Sequence, residues 1–258
     1  MEIFVIATSA FLAAALTILS GFGLGTLLMP VVALFFPVEA AVSITALVHL
    51  TNNLFKLALV GRQADLGVVL RFGLPAMLAS FAGAKTLGLL VQLAPLIEYA
   101  LLGHVMVVTP VKLTVGALLL GFVMMELMAP KSGRIHFGPR LLPLGGVVSG
   151  FFGGLSGNQG AFRSMFLLKT GLTKEPFIAT GVVLAVFVDL ARLPVYGLTW
   201  VHSEHSVSPG LVAATCLSAF AGSYLGARLL RNITLQHLRL LVGVLVMLIA
   251  LGMISGML

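Results

Sequence analysis

The chain has 258 residues, 59% of them hydrophobic and 9% charged, with a formal net charge of +7. Soluble globules carry roughly 25% charged residues, so this composition excludes one and makes lipid the solvent. The Lys and Arg residues fall mostly in short gaps between apolar runs, which leaves no basic face for a nucleic acid, and the single Cys216 excludes an intrachain disulfide and a thiolate metal cluster.

Apolar spans are predicted near 3–36, 40–60, 68–91, 111–129, 141–171, 176–198, 208–230 and 236–257. Ala13-Ala14-Ala15 could imitate a leader-cleavage site, but no basic residue precedes this run and it continues into a duplicated unit, so it reads as a span. As one helix, 3–36 would be roughly 50 Å long against a hydrocarbon core of about 30 Å. Gly21-Phe22-Gly23-Leu24-Gly25 interrupts it. The second span opens after Pro37 with Glu39 in its first turn and carries His49, Asn52, Asn53 and Lys56. After the third comes 89–110, whose Gln92, Pro95, Glu98, His104 and Pro110 make a poor span; an extra crossing and an interfacial segment both remain open. Residues 130–140 read as a linker. The fifth span is again too long and is broken by Gly153-Gly154-Leu155-Ser156-Gly157-Asn158-Gln159-Gly160, with Arg163 just beyond. The sixth follows Glu175-Pro176 and contains Asp189 and Arg192.

The two halves repeat at a spacing of 136 residues: Ser20-Gly21 returns as Ser156-Gly157, Met29 as Met165, Glu39 as Glu175, Gly61 as Gly197, and Asn53 with Lys56 as Asp189 with Arg192. This divides the chain into a first transmembrane repeat at 1–129, with 89–110 as an insertion, the linker 130–140, and a second repeat at 141–258. Duplicated apolar halves with interrupted helices at matching places point to a membrane transporter. Cations are biased oppositely at matched gaps: Lys169 and Lys174 have no first-half counterpart, Arg62 and Arg71 answer only His202, Glu204 and His205, and Arg228 and Arg231 answer none. The positive-inside rule then predicts inverted repeats. Inversion requires an odd number of crossings in the first half, which 89–110 could supply. The expectation is an all-α polytopic bundle of eight crossings, or nine with the insertion.

A broken helix exposes unpaired N–H groups and the positive end of a dipole, a seat for an anion; the alternative is that these glycines only let helices pack closely. The expected site places a small oxyanion near the midplane between the N–H groups of Gly157–Gly160, Asn158, Gln159 and Arg163. Arg suits an oxyanion because its planar fork donates two hydrogen bonds at once. Asp189 and Arg192, three residues apart, can pair on one helix face. Arg192 and Lys56 would add positive field, and Gly21, Gly23, Gly25 and Asn53 line the first-half counterpart, whose equivalents of Asn158, Gln159 and Arg163 are Phe22, Gly23 and Leu27. Glu39, His49, Glu175 and Asp189 are the candidates for proton coupling; for the two glutamates, a first-turn acid favoured by the helix dipole is the plainer reading. No metal or cofactor is expected.

The segment Gly21-Phe22-Gly23-Leu24-Gly25-Thr26-Leu27-Leu28-Met29-Pro30, with Gly153 to Ser164, Thr173-Lys174-Glu175 and Ala179-Thr180-Gly181, resembles the paired motifs of the sulfite exporter TauE/SafE family over nearly the whole chain. The resemblance implies a bacterial inner-membrane secondary transporter of sulfite, sulfoacetate or another organosulfonate. Asn158 and Gln159 stand where the family's second motif has further glycines, so the usual substrate does not carry over. Partners are the anion, the bilayer, a coupling ion such as the proton and, for assembly, a homodimer. The rivals are an anion channel, a carrier of a non-sulfur carboxylate and, remotely, an intramembrane serine protease built on Gly154-Leu155-Ser156-Gly157. Against the protease, Ser20-Gly21 repeats the pair in the first half, which one catalytic serine does not require.

Overall fold

The computed structural model describes residues 1–20, 24–101, 103–128, 139–200, 208–229 and 235–258. Ten α-helices succeed one another among them: α1 Glu2–Ser20, α2 Leu24–Val32, α3 Val38–Val60, α4 Leu66–Val91, α5 Pro110–Met128, α6 Leu142–Ser156, α7 Gly160–Leu167, α8 Lys174–Trp200, α9 Pro209–Leu229 and α10 Leu235–Ile254. Their ends follow local chemistry. Asp65 caps α4 by accepting the Val68 N–H at 2.8 Å, prolines open α5 and α9, and Gly157, at φ 80°, closes α6 in a conformation that glycine adopts without strain. Four helices, α3, α4, α8 and α9, contain segments long and apolar enough to cross a membrane. At 19 and 20 residues, α5 and α10 are about 28–30 Å long and also match the hydrocarbon core. Leucines such as Leu78, Leu89, Leu217 and Leu248 face outward, as lipid-facing side chains do, and the chain is an all-α polytopic membrane protein as expected.

Both broken spans are present, as α1/α2 and α6/α7, but each folds back instead of running through. In the second, the Phe166 ring lies against Gly145, Gln159 lies against Gly153, and the Ser149 hydroxyl donates to the Gln159 carbonyl at 3.0 Å. This pairing of early with late residues is an antiparallel helical hairpin. Helix directions give the same result. α4 and α6 run parallel, with Gly146, Gly150 and Gly154 against the carbonyls of Phe72, Ala76 and Ser80. A Cβ on Gly150 or Gly154 would stand 2.0 Å from the facing oxygen, so these glycines are what lets the backbones meet. α8 also runs with α4: Thr180 Oγ1 accepts the Asp65 N–H at 2.9 Å, Leu184 packs on Gly73, and the Ser80 hydroxyl donates to the Val188 carbonyl at 3.3 Å. With α6 and α8 both parallel to α4, the chain must reverse between them, in α7. In the first half α1 runs with α9 (Phe11 against Gly222, Ala15 against Gly226), and α3 does too (Thr51 with Cys216, Phe55 with Phe220), so α2 reverses likewise.

Equivalent helices of the two repeats are antiparallel. His49 in α3 meets Asp189 in α8, while Asp65, just past the end of α3, meets Thr180 earlier in α8. Gly116 in α5 meets Ala250 and Met253 in α10, while Val107, ahead of α5, meets Gly256 beyond α10. A two-fold axis along the membrane normal would leave equivalent helices parallel; the antiparallel pairs put the axis in the membrane plane. The repeats are inverted. The odd parity comes from the folded-back first span, which leaves three through-going helices per half.

The insertion does not supply an extra crossing: among the described residues six helices run through and the two broken spans fold back, against the eight crossings expected. Within it, β1 Ile97–Leu101 and β2 His104–Val108 form an antiparallel hairpin with Ile97 opposite Val108 and Gly103 at φ 80° in the turn. Strands of five residues reach about 17 Å and return to the end they left, where the hairpin packs on the C-terminal residues: the Tyr99 hydroxyl donates to the Ser255 carbonyl at 2.5 Å. The linker at 130–140 lies outside the described residues except for Pro139 and Arg140.

Candidate functional site

The tips of the two hairpins meet where the repeats face each other. The Gly157 carbonyl oxygen lies 2.7 Å from where a Cβ on Gly25 would be, so a side chain at Gly25 in α2 would push the tips apart. Thr45 of α3 is beside Gly25, and the Arg192 guanidinium is beside Gly157.

Around this junction α3 and α8 contribute a buried polar cluster. Asp189 accepts from Arg192 Nε at 3.0 Å and Nη2 at 2.7 Å through one carboxylate oxygen, and its other oxygen lies 2.6 Å from His49 Nδ1. Asp189 and Arg192 are 0% and 1% exposed. Arg192 Nη1 donates to the Gly153 carbonyl at 2.7 Å, and the Tyr196 hydroxyl donates to the Gly154 carbonyl. Those carbonyls belong to the last turn of α6, which carries the negative end of its dipole, and the Gly153 oxygen accepts from the Gly157 N–H as well. Arg192 therefore does two jobs: it neutralises Asp189 and closes the end of α6. Three of its five donors are engaged by protein. On α3, Asn53 Nδ2 donates to the His49 carbonyl at 2.8 Å and sits 3.1 Å from His49 Nδ1, while Asn52 Oδ1 accepts from Ser223 at 2.8 Å.

The other cations are differently placed. Arg163, in the first turns of α7, and Lys56, on α3, lie within electrostatic reach of each other, and Arg163 is within reach of Asp189 and His49. Among the described residues no carboxylate pairs directly with either, and Arg163 Nη1 is buried without a hydrogen-bond partner. Arg192 is thus paired with Asp189, Arg163 lies within reach of that carboxylate with its Nε beside Gly181 of α8, and Lys56 lies within reach of Arg163. Ionisable groups at membrane depth are costly unless paired, so the excess positive charge calls for a negative partner that the described residues do not supply.

The turn between α6 and α7 adds unpartnered polar groups. Asn158 and Gln159, 4% and 2% exposed, leave Asn158 Oδ1, Gln159 Oε1 and Gln159 Nε2 without partners. The Gly157 N–H is engaged by the Gly153 carbonyl at 3.0 Å, so the open backbone donors start beyond it, at the free first turn of α7 headed by Gly160. Of the residues expected at the site, Gly21 and Gly23 lie outside the described residues. Glu39 and Glu175 do not join the cluster: they stand in the first turns of α3 and α8, about 15 Å and 21 Å along the helices from His49 and Asp189. Ser156 donates its hydroxyl to the Phe152 carbonyl at 3.0 Å, one turn back on its own helix.

A family model described as Sulfite exporter TauE/SafE matches residues 6–253. The chain belongs to this family. No curated protein and no solved structure matches it. A TauE/SafE protein is a multi-pass membrane transporter of a small anion, and the match runs across both repeats and both hairpins. In this TauE/SafE protein sequence reasoning missed Tyr196, Ser223, Ser149 and Thr45. Tyr196 was within reach, since it stands four residues after Arg192 and so shares its helix face. Thr45 and Ser223 carry no sequence signal, because their roles come from tertiary packing.

Proposed function

We propose that the protein is a secondary carrier that exports a small sulfur-containing oxyanion, sulfite or an organosulfonate, across the bacterial inner membrane by alternating access. The observation that carries this reading is the charge imbalance near the hairpin junction: Asp189 is taken by Arg192, while among the described residues Arg163, with Lys56 in its reach, has no carboxylate partner. The anion rests at the first turn of α7 between Asn158, Gln159, Gly160 and Arg163, with Lys56 facing it from the other repeat and Gly25 allowing the tips to close. Inverted repeats supply the movement, because rocking one half against the other exchanges two nearly equivalent arrangements and opens the site to alternate sides. Of the four groups considered for proton coupling, His49 and Asp189 alone share the cluster, and their contact joins the two repeats.

The test is counterflow in proteoliposomes. Vesicles preloaded with unlabelled sulfite or sulfonate should transiently accumulate the labelled anion, and uptake should saturate. Arg163→Ala should reduce the rate at least tenfold. Non-saturating flux without counterflow would identify a channel, and full activity of Arg163→Ala would remove the site.

A further inference from the structure

We propose that the species this site takes is an oxyanion that also carries a hydrogen-bond donor of its own, an O–H or N–H group, in preference to a bare dianion or an unsubstituted sulfonate. This rests on the carrier reading above and narrows its substrate class. The observation is the kind of polar atom left unpartnered at the junction. Asn158 Nδ2 donates to the Ser156 carbonyl at 3.3 Å, which fixes the amide and leaves Oδ1 as a buried acceptor with nothing to accept from. Both polar atoms of the Gln159 amide are buried and unpartnered, so whichever way it is turned it offers one donor and one acceptor. Arg163 Nη1 adds an unpartnered donor.

A seat for a bare anion needs donors only. Two carbonyl oxygens in its wall would face the anion's lone pairs, and each would lose its hydrogen bond to water without gaining another. A ligand that is anionic at one point and donates at another satisfies the whole set: Arg163, the Gln159 N–H and the α7 first turn take the charged oxygens, while Asn158 Oδ1 and Gln159 Oε1 receive the proton-bearing group. Two sources have this chemistry. One is a singly protonated acid such as hydrogensulfite; the other is a sulfonate with a hydroxyl or amino substituent. Sites built to meet a ligand's donor reject the analogue lacking it, because their own acceptors are then buried unpaired.

Calorimetric titration of the full chain in detergent, in mildly acidic buffer, tests this with two pairs matched in charge and size. Hydrogensulfite is compared with methanesulfinate, and 2-hydroxyethanesulfonate with propanesulfonate. In the wild type the donor-bearing member of at least one pair should bind roughly tenfold tighter or more, and the pair that discriminates identifies the source. Gln159→Met and, separately, Asn158→Leu should bring that ratio down to about twofold or less by the same arithmetic, each reducing affinity for the donor-bearing ligand more than for its analogue. Equal binding of both members of both pairs by the wild type would overturn the inference while leaving the carrier reading intact. Persistence of the full ratio in both variants would overturn it as well. Binding of no sulfur anion at all would overturn the carrier reading and this inference with it.

Discussion

Asp189 is held from two directions: by Arg192, one turn along α8, and by His49 from the other repeat. A buried carboxylate in hydrocarbon surroundings is tolerable only with such partners, and removing one partner leaves an uncompensated charge. Asp189→Leu or Arg192→Met alone should each destabilise the detergent-purified protein by about 3–5 kcal/mol, whereas the double variant should cost clearly less than the sum. Denaturation of the four proteins measures this, and additive losses would mean that the pair does not couple. The pairing was legible in the sequence, because residues three apart on a helix are neighbours. The His49 contact was not, since it spans 140 residues and depends on α3 and α8 lying antiparallel. Arg163 was legible as a cation with no acid one turn away, and no carboxylate among the described residues pairs with it. Glu39 and Glu175 matched each other across the duplication but sit at helix starts, where the dipole gives them a reason to be acidic without any part in the site.

At the scale of elements, the parallel contact of α4 with α6 depends on Gly146, Gly150 and Gly154. Gly150→Ala would put a methyl group 2.0 Å from the Ala76 carbonyl oxygen, a backbone atom that can yield only if the helices separate. We expect its folded yield and melting temperature to drop sharply, whereas Gly121→Ala in α5, with nothing within 4 Å, should be neutral or gain the roughly 0.5–1 kcal/mol of helix propensity. Comparable melting of the two variants would mean that α4 and α6 are not this close. The glycine breaks were readable, since a helix of 34 residues does not fit a bilayer. The reversal of direction after the break was not readable: it is set by Phe166 packing on Gly145 and by the left-handed backbone of Gly157, and a straight interrupted helix satisfies the same sequence pattern. The insertion stayed open between a crossing and an interfacial segment for a related reason, since among the described residues its two short strands pair with each other and leave no repeat signature.

At the scale of the whole molecule, helix directions sort the cations. Arg62, Arg71, Arg140, Lys169, Lys174, Arg228 and Arg239 all fall at or near the end where α3, α7 and α9 finish. The opposite end, where the β-hairpin lies, has Lys85 and Lys112 among the described residues. The positive-inside rule predicts that the first end is cytoplasmic and that the hairpin faces outside. In a Cys216→Ala background, Gln63→Cys should react with an impermeant thiol reagent only after permeabilisation, and Glu98→Cys should react in intact cells; the reverse pattern would invert the molecule. The inverted architecture was partly legible, because the loop charges alternate in opposite senses, but its parity had to come from the fold. The proposed sulfur oxyanion at the hairpin junction is tested by thermal unfolding of wild type beside Arg163→Ala against sulfite, organosulfonates, sulfate and carboxylates. A ligand at 100 times its dissociation constant stabilises by about 2.7 kcal/mol, so a sulfur oxyanion should raise the melting temperature of the wild type and leave that of Arg163→Ala unchanged. Equal stabilisation of both proteins, or of neither, would contradict the site.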